Sequence, residues 1–469
     1  MPTMLTTLLR DSRALATLAV PLVLTQLAQV ALTTTDTVMM GMLGAADLAA
    51  GGLAIVLFNQ LRTMGVGLIT SVGNQIAAAS ARAETAEGTD AADSSEEVRS
   101  IVRAGLALAT LAGVVGAVLM LLIGQALPFL GQDAGVAASA QHMLLALAPG
   151  LLPCLWFQAI RQFTVGMRRP QALLQITIAS VAVNAGINWV FIHGTWGLPK
   201  LGLPGVGVAT SLVYLLTFLA LYAFTRRDAV LAPLLSLNIA QADRATVRRL
   251  VGLGVPIAAT YGSEAGFFSV TALMAGSFGS AALAAHTAVN QLVYIVFQVA
   301  VGLSHAASIN VSREIALDRP QAALRIKNTA LACAGAVMAV VAVLYIAVPR
   351  LVLAPFFEGG AGDSEAVSIA THLLLVTMVL QFFDCAQNIG VGLLRGLDDT
   401  KSGFRITLIG YWLIGLPAAA LLAYPAHLDT LGIWLGLLSG LAATAILLLR
   451  RYSAALHARF AATEPVPAA

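Results

Sequence analysis

Apolar stretches of at least 20 residues recur from one end of the chain to the other, and the short breaks between them hold nearly all of its charge. About 20 helical residues cross the ~30 Å hydrocarbon layer of a bilayer, so these runs constrain the fold more than any motif does. The composition excludes a soluble globule: 10% of the 469 residues are charged and 58% are hydrophobic, against about 25% and ~45–50% in soluble domains. Disorder needs low hydrophobicity and high net charge, and neither holds. A net charge of +3 with dispersed basic residues gives no footprint for nucleic acid. The chain reads as an all-α integral membrane protein whose first partner is the lipid bilayer. Cys154, Cys333 and Cys385 lie scattered in apolar runs, which is neither a disulfide framework nor a metal cluster.

Charged, proline- and glycine-marked breaks divide the chain into twelve spans, at 14–40, 48–79, 101–124, 138–165, 171–194, 205–225, 247–275, 283–312, 328–348, 367–394, 403–424 and 430–449. Arg10 and Arg13 precede a run of full spanning length with no cleavage site, so the first span reads as a retained helix. Basic residues test this division independently. Alternate breaks with the helix ends beside them, starting with the N-terminus and counting Arg161 with the nearby helix end, collect all but three of the 26 lysines and arginines; the exceptions are Arg62 within a span and Lys200 and Arg350 on the opposite side. Positive charge is retained on the cytoplasmic side, which predicts cytoplasmic termini and an even number of spans. The acidic stretch 84–97 reads as a solvated cytoplasmic linker. The link from Arg226 to Arg249, with five arginines and no apolar run, reads as the joint between six-helix lobes at 1–235 and 236–469.

Shifting the chain by 235 residues aligns Pro21 with Pro256, Thr25 with Thr260, GMLGAADLAA (41–50) with GSFGSAALAA (276–285), and Val66-Gly67-Leu68 with Val301-Gly302-Leu303. The 60 positions from Pro21 contain 13 identities. With six spans per half the two copies keep one orientation, a parallel repeat about an axis along the membrane normal. Transporters built this way place their substrate site between the halves. Pro21 and Pro256 should kink spans 1 and 7.

An ionisable side chain within a span is costly, about 2.5–3.5 kcal/mol at its centre on insertion scales, and is a functional candidate for that reason. Three carboxylates qualify: Asp36 within TTTDT, Glu264 within YGSEAGFF and Asp384 within QFFDCAQN. No lysine or arginine stands at helical spacing beside them, so each is a place for a proton or a monovalent cation. Asn184 and Asn188 are four apart and share a helix face; with the threonines around Asp36 they are expected to form a polar pocket. Thr210 follows GVGVA, whose small residues allow close helix approach. The repeat does not equate the acids, because Gln29 aligns with Glu264 and Asp36 with Thr271. The seven histidines lack paired ligand spacing, and no Walker loop, nucleophile elbow or HExxH appears. No enzyme activity and no cofactor are expected, the coupling ion aside.

PLVLTQLAQVALTTTDTVMMGMLGAADLAA, TVGMRRPQ and VAVNAGINWVFIHG in the first half resemble the multidrug and toxic compound extrusion (MATE) transporters of the NorM-like branch. So do FFDCAQNIGVGLLRGLDDTKSG and YWLIGLP in the second. The resemblance covers nearly the whole chain. It implies two six-helix bundles related by a pseudo-two-fold axis around a central cavity that opens to one side at a time. It also implies an N-lobe proton or cation site at Asp36, Asn184, Asn188 and Thr210, with Na+ a candidate at the first three, and C-lobe acids at Glu264 and Asp384. Some members carry an aromatic hydroxyl one turn before the last acid; Leu380 stands there in this chain. The implied activity is export of an amphipathic, often cationic small molecule in exchange for H+ or Na+, by a monomer. With 23 arginines to three lysines in an alanine-rich chain, the expected location is a bacterial inner membrane.

Two alternatives have distinguishing signatures. A lipid-linked-sugar flippase of the same superfamily would favour a strongly cationic cavity, whereas the spans hold Arg62 against three acids. A membrane enzyme or sensor would need a clustered constellation or a soluble output domain.

Overall fold

The computed structural model describes residues 4–85, 89–130, 134–197, 199–357 and 363–463, and among these every regular element is helical. In chain order the helices are α1 (Met4–Gly41), α2 (Ala45–Thr85), α3 (Thr89–Ala126), α4 (Ala134–Gly166), α5 (Gln171–His193), α6 (Leu203–Arg227) and α7 (Arg244–Gly276). There follow α8 (Ser280–Ala316), α9 (Pro320–Ala347), the short α10 (Pro349–Leu353), α11 (Asp363–Gly396), α12 (Thr400–Leu408), α13 (Leu416–Ala423) and α14 (Asp429–Thr463). A π-helical turn, Ile409–Gly415, joins α12 to α13 in one rod. Eleven helical segments of the described residues are long and apolar enough to cross a membrane. The twelfth rod is α7, at the place of the expected seventh span, with Arg244, Arg248 and Arg249 in its opening turns and Glu264 inside it.

The helices overrun the expected spans, most of all around the acidic stretch. Residues 84–85 close α2 and 89–97 open α3, so the linker expected there is helix; 86–88 lie outside the described residues. Alanine and glutamate favour helix, and acidic residues near an N-terminus complement the helix dipole. Arg82 pairs with Glu97 at 2.7 Å, and Glu96 meets both Arg99, at 3.2 Å, and Arg103. The link between α6 and α7 is also ordered. Asp228 accepts from Val230 N at 2.8 Å, Leu231 N at 3.1 Å and the Arg169 guanidinium at 2.8 Å. Partial burial pushes its carboxyl up, but these donors outweigh it and hold the group below the usual carboxylate range.

The repeat shows in the turns. Gly44 (φ 121°) and Gly279 (φ 107°), 235 residues apart, occupy the same turn after α1 and α7, a conformation that needs no Cβ. Helices α4 and α11 both end in a Schellman motif: Arg169 N donates to Thr164 O at 2.8 Å and Asp399 N to Leu394 O at 2.9 Å, with Arg168 (φ 58°) and Asp398 (φ 63°) in the left-handed position.

The chain forms two compact units, Leu24–Ala259 and Met1–Val23 with Thr260–Ala469. Both divisions fall inside helices, three residues or so beyond Pro21 in α1 and Pro256 in α7. In the first unit α4 packs against α2, α3 and α6. In the second, α11 packs against α8 and α14, and α14 lies on the α12–α13 rod. That last contact is set by Gly432, Gly436 and Gly440, four apart on α14. A Cβ on Gly436 would stand 2.3 Å from the Ala419 backbone, and one on Gly440 would stand 2.8 Å from Gly415 Cα. Small residues at this spacing let membrane helices approach backbone to backbone.

Candidate cation-coupling sites

The first site lies in the Leu24–Ala259 unit, where α1, α5 and α6 meet. Asp36 is 3% exposed, and Asn184 and Asn188 are fully buried. Their four-residue spacing aims both amides at one acceptor: Asp36 Oδ1 receives Asn184 Nδ2 at 2.7 Å and Asn188 Nδ2 at 2.8 Å. Asp36 Oδ2 receives the Thr210 hydroxyl at 3.1 Å. The same hydroxyl lies 2.9 Å from Val206 O, so its single proton has two acceptors. The four residues singled out in the sequence are thus brought together.

The neighbouring threonines behave differently from expectation. Thr34 and Thr35 bond the carbonyls of Val30 and Ala31 at 2.9 Å, and Thr33 and Thr37 bond those of Gln29 and Thr33. Each satisfies its own helix, as hydroxyls four residues past a carbonyl readily do. Thr33 also borders a cavity of about 30 Å³ with Gln29, Arg62, Ser180 and Tyr214, which places room for water one turn along α1 from Asp36.

The arrangement is that of an ionised carboxylate, an acceptor surrounded by donors, and it can change state locally. If Asp36 takes a proton on Oδ2, Thr210 can accept from it and give its own proton to Val206 O. Asn184 Oδ1 and Asn188 Oδ1 are buried with no hydrogen-bond partner among the described residues. A half-turn of an amide exchanges donor for acceptor, so with both amides turned a carboxylate, two amide oxygens and a hydroxyl can face one monovalent cation. Hard cations take such oxygen donors.

The second site lies in the other unit, between α7, α11 and the π-helical turn. Glu264 Oε1 accepts from the Tyr411 hydroxyl at 3.2 Å and faces Gln387 Nε2 at 3.5 Å. Asp384 accepts from Asn388 Nδ2 at 3.2 Å. Trp412 Nε1 donates to Ser263 Oγ at 2.8 Å, fixing the turn on α7. Tyr411 was not singled out in the sequence. Leu380, one turn before Asp384, is packed in the apolar core; the hydroxyl in this site, which bonds Glu264 rather than Asp384, is that of Tyr411. The π-helical turn re-aims that side chain, a frequent device at functional sites, and Phe267 stacks on its ring with centroids 4.9 Å apart.

No three His, Cys, Asp or Glu side chains among the described residues are grouped to hold a metal ion. Each site instead has one or two carboxylates amid neutral donors.

Twelve helical rods among the described residues, in two repeated halves with carboxylates buried inside them, have the fold of the MATE transporters. The structure of the eukaryotic MATE transporter AtDTX14 superposes with a TM-score of 0.81 at 20% identity, covering 97% of this chain and 100% of the other. The MatE family model matches twice, at residues 21–190 and 256–421, starting at the two prolines that the repeat aligns. The chain belongs to the MatE family. It is 36% identical to the "Probable multidrug resistance protein NorM" of Pseudomonas aeruginosa, over 93% of this chain and 88% of that one. The protein of the same name from Bradyrhizobium diazoefficiens is also 36% identical, over 93% and 91% respectively.

Proposed function

We propose that this multi-pass membrane protein is a secondary antiporter that exports amphipathic, often cationic small molecules in exchange for H+ or Na+, by alternating access. The observation that carries the proposal is Asp36: a carboxylate buried within a spanning helix, with no salt-bridge partner among the described residues and held by three neutral donors. Such a group is expensive to keep in a membrane and is justified by an ion that visits it. The names of the bacterial relatives support a drug as the cargo. An inward-moving ion binds Asp36, with Glu264 and Asp384 as a second binding position, and changes the hydrogen bonds that tie α1 to α5 and α6. Transport follows only if ion and cargo prefer different conformations. The termini face the cytoplasm on the charge pattern, and the protein works as a monomer in a bacterial inner membrane.

The test reconstitutes the full chain in proteoliposomes and follows ethidium while a pH gradient and, separately, a sodium gradient is imposed. At least one inward ion gradient should drive ethidium movement, and the ionophore that collapses that gradient should stop it. Ethidium movement indifferent to both gradients overturns the proposal.

A further inference from the structure

Arg395 belongs to the last turn of α11, at a break that the sequence assigns to the cytoplasmic side, yet it is only 3% exposed. Its Nη2 donates to the Tyr261 hydroxyl at 3.3 Å, and the guanidinium lies 6.0 Å from the Tyr261 ring centroid. Its Nε and Nη1 are buried without a hydrogen-bond partner among the described residues. The acids just beyond it do not neutralise it: Asp399 is engaged by Arg451 at 2.8 Å, and no ion pair to Arg395 occurs among the described residues. A buried guanidinium with two open donors is costly, and the negative end of the α11 dipole offsets only part of that cost.

The side chain borders a cavity of about 10 Å³ whose lining includes Tyr261, Glu264, Ser304, His305 and Asn388. Tyr261 and Glu264 are three apart on α7, so they share a face. The residue whose hydroxyl holds Arg395 and the residue whose carboxylate would bind an ion are therefore about one helical turn apart along α7, ~5 Å. Glu264 meanwhile is held by neutral donors, Tyr411 and Gln387. One cavity thus contains a carboxylate without a cation and a cation without a carboxylate.

We propose that Arg395 is a tethered competitor for the coupling cation at Glu264. With the ion bound, the guanidinium rests on Tyr261. When the ion leaves toward the cytoplasmic end of α11, the guanidinium moves one turn along the cavity and neutralises the emptied carboxylate. The exchange speeds ion release and keeps Glu264 from standing alone as a buried charge. Arg395 acts through Glu264 and is a positioning residue. This inference rests on the reading of Glu264 as a cation-binding group.

The experiment measures ion-driven ethidium transport by the full chain in proteoliposomes as a function of Na+ and, separately, of H+. Arg395→Gln should lower the half-saturating concentration of the coupling ion about tenfold and reduce the maximal rate, because release becomes slow. Arg395→Lys should restore the wild-type half-saturation. Tyr261→Phe frees the guanidinium and should shift the half-saturation the opposite way, to higher concentration, which keeps the test decisive if Arg395→Gln fails to fold. In an E264Q background, removing Arg395 should change nothing further. A half-saturation raised or unmoved by Arg395→Gln, or an effect that persists in E264Q, overturns the competitor role alone. An E264Q variant with wild-type ion dependence overturns both this role and the C-lobe cation site.

Discussion

Asp36→Asn is expected to reduce ion-driven ethidium export to the level of empty vesicles, a loss of at least about 100-fold or ~2.7 kcal/mol, while ethidium binding persists. The reason is specific to the geometry. Asparagine has the shape of aspartate and keeps one carbonyl to accept from Asn184 or Asn188, which lie 2.7 and 2.8 Å away. The packing of α1 on α5 and α6 therefore survives, and the variant should fold. What disappears is the only group in that cluster able to gain and lose a charge. Without it the hydrogen bonds of Thr210 and the two amides have a single state, and an ion has no differential affinity with which to bias the conformations. Ethidium binding in detergent, followed by fluorescence anisotropy, separates loss of coupling from loss of fold. Retained ion-driven export by the variant would remove Asp36 from the mechanism.

Gly436→Ala should cost about 3 kcal/mol of stability, the upper end of what overpacking a well-packed contact costs. The added Cβ would lie 2.3 Å from both Cα and N of Ala419, which are backbone atoms and cannot rotate away. The contact between α14 and α13 must open instead. The same interface seats Gly440 against Gly410 and Gly415, the residues flanking Tyr411 in the π-helical turn, so the disturbance should reach the hydroxyl that holds Glu264. Gly335→Ala is the matched control: on α9 nothing lies within 4 Å of the new methyl, and removing glycine from a helix gains about 0.5–1 kcal/mol. Thermal unfolding in detergent should show Gly436→Ala far below the wild type and Gly335→Ala level with it or above. Equal melting temperatures for the two would contradict the close-packed interface.

The spans were legible because apolar runs of membrane length have few other uses, and Asp36, Asn184 and Asn188 because charge and amides inside such runs stand out. The i, i+4 spacing of the two asparagines even gave the side on which they would meet the acid. Tyr411 was not legible. It sits in an ordinary-looking run, YWLIGLP, and reaches Glu264 only because the helix widens to a π turn, which no period in the sequence announces. Arg395 was misleading in a different way: an arginine beside a break looks solvated, and only the packing of α7 and α8 around α11 encloses it. The charge of the stretch 84–97 reads as a linker, but charge at the start of a helix is compatible with helix. The glycine series on α14 was hidden by composition, since glycine is frequent throughout the chain (42 residues).

Exchange of ion and cargo through one protein is reciprocal by linkage: if an ion gradient moves ethidium, an ethidium gradient must move the ion. Proteoliposomes loaded with ethidium, with equal pH and equal sodium on both sides, should therefore take up H+ or Na+ against no gradient as ethidium leaves, read by an internal pH dye or by radioactive sodium. The uptake should vanish in Asp36→Asn. Ethidium exit with neither ion moving would contradict the account.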